Sequence, residues 1–226
     1  MKVVIFGATG MVGSGVLREC LRAPDVAQVA TVGRKASGRR DPKLHEIVHT
    51  DLYDYAAIED SLSGFDACYF CLGVSSAGMS ESDYSRVSYD LTLAAARTLA
   101  RLNPGMTFVY VSGAGTDSSE RGRSMWARVK GRTENALQRL PFKAVYLFRP
   151  GVIQPLHGAV SSTRSYRWFY ALTKPLLSPL RALFPNQILS TEGIGLAMLE
   201  AARHGAPKAV LESRDINALA AARSHG

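Results

Sequence analysis

The amino-acid sequence predicts an α/β fold, a doubly wound parallel sheet covered by helices on both faces. Three observations carry this. Short apolar runs alternate with amphipathic stretches over the first 150 residues. The first run, residues 3–6 (Val-Val-Ile-Phe), is continuously apolar and rich in β-branched side chains, as expected of a strand buried on both faces. A glycine-rich turn, residues 7–13, joins that run to an amphipathic stretch. Alternation with short connections implies right-handed crossovers and therefore a parallel sheet.

The elements follow in order. After the strand at 3–6 comes a helix over 11–21, with Val12, Val16 and Cys20 on one face, then strands over 28–33 and 46–49. Asp54 caps a short helix over 56–62, and the apolar run 67–72 is the fourth strand. A longer helix over 82–102 carries Val87, Leu91, Ala94, Ala95 and Leu99 near helical spacing and stops at Asn103-Pro104-Gly105. A strand over 108–111, a helix over 122–139 and a strand over 144–148 complete the alternation. After Pro150 the rhythm changes. Residues 151–190 hold Pro155, Pro175, Pro179 and Pro185, many aromatics, and one helix near 163–174. A helix over 194–203 capped by Thr191, a short strand over 209–211 and a tail follow. Forty residues are too few for a second core. The expectation is one domain, 1–226, whose part 151–226 elaborates one end of the sheet and covers a substrate site.

Composition bounds the function. With 226 residues, 46% hydrophobic and 20% charged, a packed core is within reach, and a disordered, collagen-like or disulfide-scaffold chain is excluded. The three cysteines point to a reducing compartment or to indifference to redox state. Cys68 and Cys71 lie three apart in an apolar run; on a strand such residues face opposite sides, so packing rather than a disulfide is expected. His45, His49, His157, His204 and His225 show no metal-ligand spacing, and no metal is expected. The first apolar run is too short for a secretory signal, and no stretch reaches eighteen apolar residues, so the default expectation is a cytoplasmic protein without a membrane span. The net charge of +8 is concentrated in residues 33–43, 118–132 and 164–181, each carrying +4. Zinc-finger and RNA-binding signatures are lacking, which disfavours nucleic acid. The aromatic and basic stretch 164–184 is read as a substrate-pocket wall or a homodimer contact, with an anionic membrane surface as the alternative.

The chemistry begins at the glycine turn, Gly7-Ala8-Thr9-Gly10-Met11-Val12-Gly13. In a strand–turn–helix, Gly7 permits the tight turn, Gly10 lets the backbone approach a pyrophosphate, and Gly13 lets helix and strand pack closely. The N–H groups and dipole of the helix N-terminus face the phosphates. Arg34 ends the second strand, where a carboxylate would select NAD through the ribose 2′-hydroxyl. A guanidinium there suits a 2′-phosphate, and Lys35 adds a second charge, so NADP(H) is expected over NAD(H).

With this G-x-x-G-x-x-G spacing, the sequence resembles the short-chain dehydrogenase/reductase superfamily, in its extended and atypical branches. It is similar to small members related to the Tat-interacting oxidoreductase-like and NmrA-like proteins. The likeness includes Asp51-Leu52, Cys71-Leu72-Gly73, Ser112, Lys130 and Arg149-Pro150-Gly151-Val152. It implies a Rossmann fold with Asp51 and Leu52 bordering the adenine and with Cys71, Leu72 and Gly73 along the cofactor. It also implies that Pro150, Gly151 and Val152 lie by the nicotinamide. Family enzymes use Ser, Tyr and Lys, with Tyr four residues before Lys. Ser112 and Lys130 match, but Trp126 stands at the tyrosine position. Indole N–H donates a hydrogen bond and has no usable proton near neutral pH. Tyr170 and Lys174 share the spacing but follow the sixth strand. Tyr84 and Tyr89, on the preceding helix, are expected to pack unless they face the site. No Gly-x-Ser-x-Gly elbow supports a hydrolase. Two functions remain open: an NADPH-dependent oxidoreductase acting on a small apolar carbonyl, and a cofactor-binding protein that signals nucleotide state to a partner without turnover.

Overall fold

The computed structural model describes residues 1–157 and 188–222. Its strands are β1 (Lys2–Phe6), β2 (Gln28–Gly33), β3 (Leu44–Val48), β4 (Ala67–Phe70), β5 (Thr107–Val111), β6 (Ala144–Arg149), β7 (Val152–Gln154), β8 (Ile188–Ser190) and β9 (Val210–Glu212). The helices are α1 (Met11–Arg22), α2 (Glu81–Ser85), α3 (Leu91–Leu102), α4 (Met125–Leu137), α5 (Thr191–His204) and α6 (Ser213–Ala222). Seven strands form one parallel sheet in the order β3-β2-β1-β4-β5-β6-β9. The expected doubly wound sheet is borne out. Strand order reverses between β1 and β4, and in such sheets a ligand crevice opens beyond the carboxyl ends of the strands at that switch point.

Alternation along each strand builds two cores. Val3 and Ile5 face α1, α5 and α6, packing with Val16, Leu17, Ile194, Met198 and Ile216. Val4 and Phe6 face the other layer with Leu62, Leu99, Met106, Phe108 and Leu137. Stacked rings of Phe6, Phe70 and Phe108 cross the second layer at centroid distances of 5.3 and 5.9 Å. The C-terminal part joins the same body: β9 pairs with β6, and α5 lies on α1. A Cβ on Gly15 would sit 2.6 Å from the Thr191 carbonyl oxygen, so those helices meet backbone to backbone.

Several expectations need correction. The third strand begins at Leu44 and the fourth ends at Phe70. The segment Ala56–Leu62 is a 3-10 helix, with the Asp54 carboxylate accepting from the Ala56 N–H at 2.9 Å. The helix expected over 82–102 starts one residue earlier. The Ser80 hydroxyl caps the Asp83 N–H at its start, and a π-helical turn, Arg86–Asp90, interrupts it. The helix expected over 122–139 starts only at Met125, because the Asp117 carboxylate gathers the Ser119 and Gly122 N–H groups into a turn. β7 and β8 form a separate parallel pair, and the expected tail is α6. The helix near 163–174, Tyr170, Lys174 and the stretch 164–184 lie outside the described residues.

Candidate functional site

The glycine turn is built by close approach. Gly7 has φ +79°, and a Cβ there would lie 2.9 Å from the Cys71 and Leu72 backbone, so the turn is wedged against the end of β4. A Cβ on Gly13 would fall 2.0 Å from the Gly7 carbonyl oxygen, and the Gly10 N–H closes the turn on that oxygen at 3.0 Å. Gly10 caps α1 without a side-chain partner, and the first turn holds no acidic residue. Unsatisfied N–H groups and the positive dipole end therefore face the crevice. Met11 and Val12 pack inward against the α1 side of the core.

An open cleft of about 450 Å³ runs from this turn to the end of β2, lined by Gly7, Thr9, Arg34, Lys35, Leu52 and Leu72 among others. Among the described residues no carboxylate lines it. The nearby Glu46 accepts the Ser37 N–H at 2.5 Å and so anchors the loop after β2. Arg34 and Lys35 are exposed. The space, the bare helix end and the two cations fit a dinucleotide with its adenosine end toward Arg34. Asp51 is exposed and turned onto its own loop, accepting the Tyr53 N–H at 2.9 Å. Desolvation pushes the Cys71 thiol up to about 12, so it packs as a neutral group. Gly73 is exposed with open space where a Cβ would be. The Pro150 carbonyl accepts the Ala114 N–H, and the Gly151 N–H donates to the Ser213 hydroxyl, both at 2.9 Å. Val152 beside them is 43% exposed.

Beyond β5 lies a buried polar cluster. Lys130 Nζ donates to Tyr110 Oη at 2.9 Å and to the Val111 carbonyl at 3.4 Å, and sits 4.8 Å from the Tyr110 ring centre. Burial holds its amine below the usual lysine range, opposed by the charges of Tyr84 and Glu134. Burial pushes the Tyr110 phenol up, and Glu134 acts in the same direction. The Ser112 hydroxyl donates to Glu134 Oε1 at 2.6 Å and approaches the Phe148 carbonyl at 3.2 Å. Glu134 is in turn gripped by Arg149, Nε to Oε1 at 3.1 Å and Nη2 to Oε2 at 2.5 Å, with side chains only 1% and 11% exposed. A carboxylate in that fork is ionised and only accepts. The Ser112 proton is therefore spent inside the protein, and the face it offers a ligand is a lone pair.

Trp126 lies one turn before Lys130 on α4. Its six-membered ring covers the loop after Ser112, 3.7–3.9 Å from where Cβ atoms on Gly113 and Gly115 would be. Ser112, Trp126 and Lys130 are thus gathered around one loop, while the cleft-lining residues gather around the glycine turn. Tyr110 and Glu134 were not singled out from sequence, and Arg149 was named only as the first residue of the motif 149–152, with no role given to it. Two signals were available: Tyr110 and Ser112 share a strand face, and Trp126, Lys130 and Glu134 are spaced four apart on α4.

Comparison with known proteins agrees with this geometry. Residues 3–122 match the model of the NAD dependent epimerase/dehydratase family. The chain is 31% identical over 159 residues to "Protein fmp52, mitochondrial" of Emericella nidulans, covering 67% of this chain and 66% of that protein. It thus spans just under two thirds of that relative's length. Among solved structures, the Bordetella bronchiseptica enzyme WbmF in complex with NAD+ superposes with TM-score 0.67 at 17% identity, over 97% of this chain and 76% of WbmF. A UDP-N-acetylglucosamine 4-epimerase from Methanobrevibacter ruminantium superposes with TM-score 0.68 at 16% identity, over 93% and 75%. These two show the fold. The expectation of a cytoplasmic location is overturned by the curated relatives, which are named mitochondrial. The chain belongs to the NAD-dependent epimerase/dehydratase family, Rossmann-fold NAD(P)-binding proteins of oxidoreductase-like type.

Proposed function

We propose that the protein is an NADP(H)-dependent oxidoreductase acting on a small, apolar carbonyl compound. The observation that carries the cofactor preference is the cleft, which joins the glycine turn to exposed Arg34 and Lys35 and, among the described residues, has no carboxylate on its wall. A guanidinium and an ammonium there match a 2′-phosphate, and nothing repels it. When bound, the reduced nicotinamide supplies a hydride. The chain's own residues do the rest. The α1 N-terminus holds the pyrophosphate, and Leu52 and Leu72 give the adenosine apolar walls. Lys130 supplies a buried positive charge against the ribose, and Trp126 narrows the pocket where a smaller phenol is usual. Ser112, its proton held by Glu134, accepts rather than donates and so positions a hydroxyl product better than it polarises a carbonyl.

Trp126 favours the second reading, a cofactor-binding protein without turnover, because an indole cannot give up a proton near neutral pH. Calorimetry of the wild-type protein tests the cofactor step common to both. NADPH is expected to bind at least about tenfold tighter than NADH, a difference of ~1.4 kcal/mol. Equal affinities would remove the NADP(H) assignment.

A further inference from the structure

Position 126 lacks a phenol, yet the structure brings another to Lys130 from a different helix. α2 and the π turn run alongside α4, and two cross-links fix their register. Arg128 Nη2 meets Glu81 Oε2 at 2.5 Å, and the Arg132 guanidinium lies 4.3 Å from the Tyr89 ring centre. Position numbers rise together on both helices, so the pair is parallel. Tyr84 lies between Glu81 and Tyr89 and follows Glu81 by three residues, hence on the same helical face. Its level on α4 therefore falls within the span from 128 to 132, which contains Lys130.

Burial agrees with that placement. Tyr84 is 3% and Lys130 6% exposed, and they are close enough for the charge of one to act on the other. The Tyr84 N–H is fixed to the Ser80 carbonyl at 3.0 Å, while its phenolic oxygen has no hydrogen-bond partner among the described residues. The π turn adds a residue between Tyr84 and α3 and so re-aims Tyr84 relative to Thr92, which reaches Tyr110 instead. Such turns are often found at functional sites. The competing donors are committed elsewhere: Ser112 gives its proton to Glu134, and Tyr110 is fully buried with Lys130, Thr92 and Thr133 around its oxygen.

We propose that Tyr84 is the proton donor of this site, a phenol delivered by α2 in place of the one that α4 lacks at position 126. The proposal rests on the oxidoreductase reading above. In the reducing direction the Tyr84 O–H bond breaks as an O–H bond forms on the substrate's carbonyl oxygen. The substrate's carbonyl carbon is reduced by the hydride, and the nicotinamide is the group oxidised. The phenolate then recovers a proton from Lys130 Nζ, and Lys130 takes one from water.

The test combines a spectroscopic and a kinetic arm on the full chain. With tyrosine labelled by ¹³C at Cζ, the Tyr84 signal is the one missing from Tyr84→Phe. It is expected to shift in Lys130→Met and to shift again when NADPH saturates the wild type. A Tyr84 signal unmoved in both would overturn the proposal whatever the activity. With NADPH and 4-nitrobenzaldehyde as probes, Tyr84→Phe should slow reduction by at least roughly 100-fold, the lower bound for a positioned general acid. Its NADPH affinity should stay within about twofold. Undiminished reduction by Tyr84→Phe, or a wild type that binds NADPH and reduces no aldehyde, would overturn it. Absence of NADPH and NADH binding would overturn the oxidoreductase reading instead, with the Tyr84 signal still responding to Lys130→Met.

Discussion

At Lys130, burial and hydrogen bonding pull in opposite directions. Desolvation favours the neutral amine, while Tyr110 Oη and the Val111 carbonyl accept its N–H bonds. Because the folded value lies below the unfolded one, the folded state binds fewer protons between the two. Stability therefore rises with pH across that window, and the burden is fully present below the folded value. Lys130→Met removes a burdened charge and should leave the unfolding midpoint unchanged or raised at pH 7, although it removes a group the site needs. Glu134 is the opposite case. Glu134→Leu strands the largely buried Arg149, and losing one partner of such a pair costs about 3–5 kcal/mol. The lower end is expected, because Glu212 and the Ser118 hydroxyl remain near the guanidinium. Urea unfolding of both variants measures the contrast; equal loss in the two would show that burial does not weigh on Lys130. Gly7, Gly13, Arg34 and Lys130 were legible because one chemical demand selects each residue type. Tyr84 and Glu134 were not: a glutamate one turn after Lys130 on the same helix has many uses, and so does a buried tyrosine, which only the packing of α2 on α4 brings toward Lys130.

At the scale of elements, the α1–α5 contact is set by two glycines. Gly15 meets the Thr191 carbonyl, and a Cβ on Gly195 would lie 3.0 Å from Glu19 Cγ. Gly→Ala inside a helix ordinarily stabilises by about 0.5–1 kcal/mol. Gly15→Ala should do the reverse, because its methyl would collide with backbone that cannot step aside. The expected loss is about 1–3 kcal/mol, as for other overpacked sites. Thermal unfolding reads this as a midpoint lower by several degrees; an unchanged or raised midpoint would show that the helices are free to separate. The strands of the main sheet and their parallel direction were legible from the period of apolar residues and the connection lengths, while their order came from the structure. Helix ends were less so. The start of α4 depends on the Asp117 turn, and a Cβ on Gly131 would lie 1.8 Å from the Asp117 carbonyl oxygen, a contact no periodicity encodes. The π turn shifts a register without altering composition, and the ten-residue α6 lies in the segment expected only as a tail.

At the scale of the whole molecule, the parallel order places the β1 and β4 ends side by side, and everything proposed for the cofactor follows from that reversal. The cleft begins at the glycine turn and ends at Arg34, so it has a helix-N-terminal end and a cationic end set by the fold. The general class of ligand was legible in the sequence, because strand, glycine turn and helix occur in one short stretch. The proton donor was not, because it depends on how α2 lies against α4. Arg34→Asp reverses the charge at the end of the cleft farthest from the reacting groups, leaving the glycine turn untouched. Binding of NADPH and NADH to this variant, measured by calorimetry beside the wild type, tests the central claim most directly. NADPH should weaken by about 2 kcal/mol or more through loss of a charge-assisted contact and added repulsion, while NADH should change little or improve. Equal weakening of both nucleotides would show that Arg34 supports the loop rather than the cofactor, and would contradict the account.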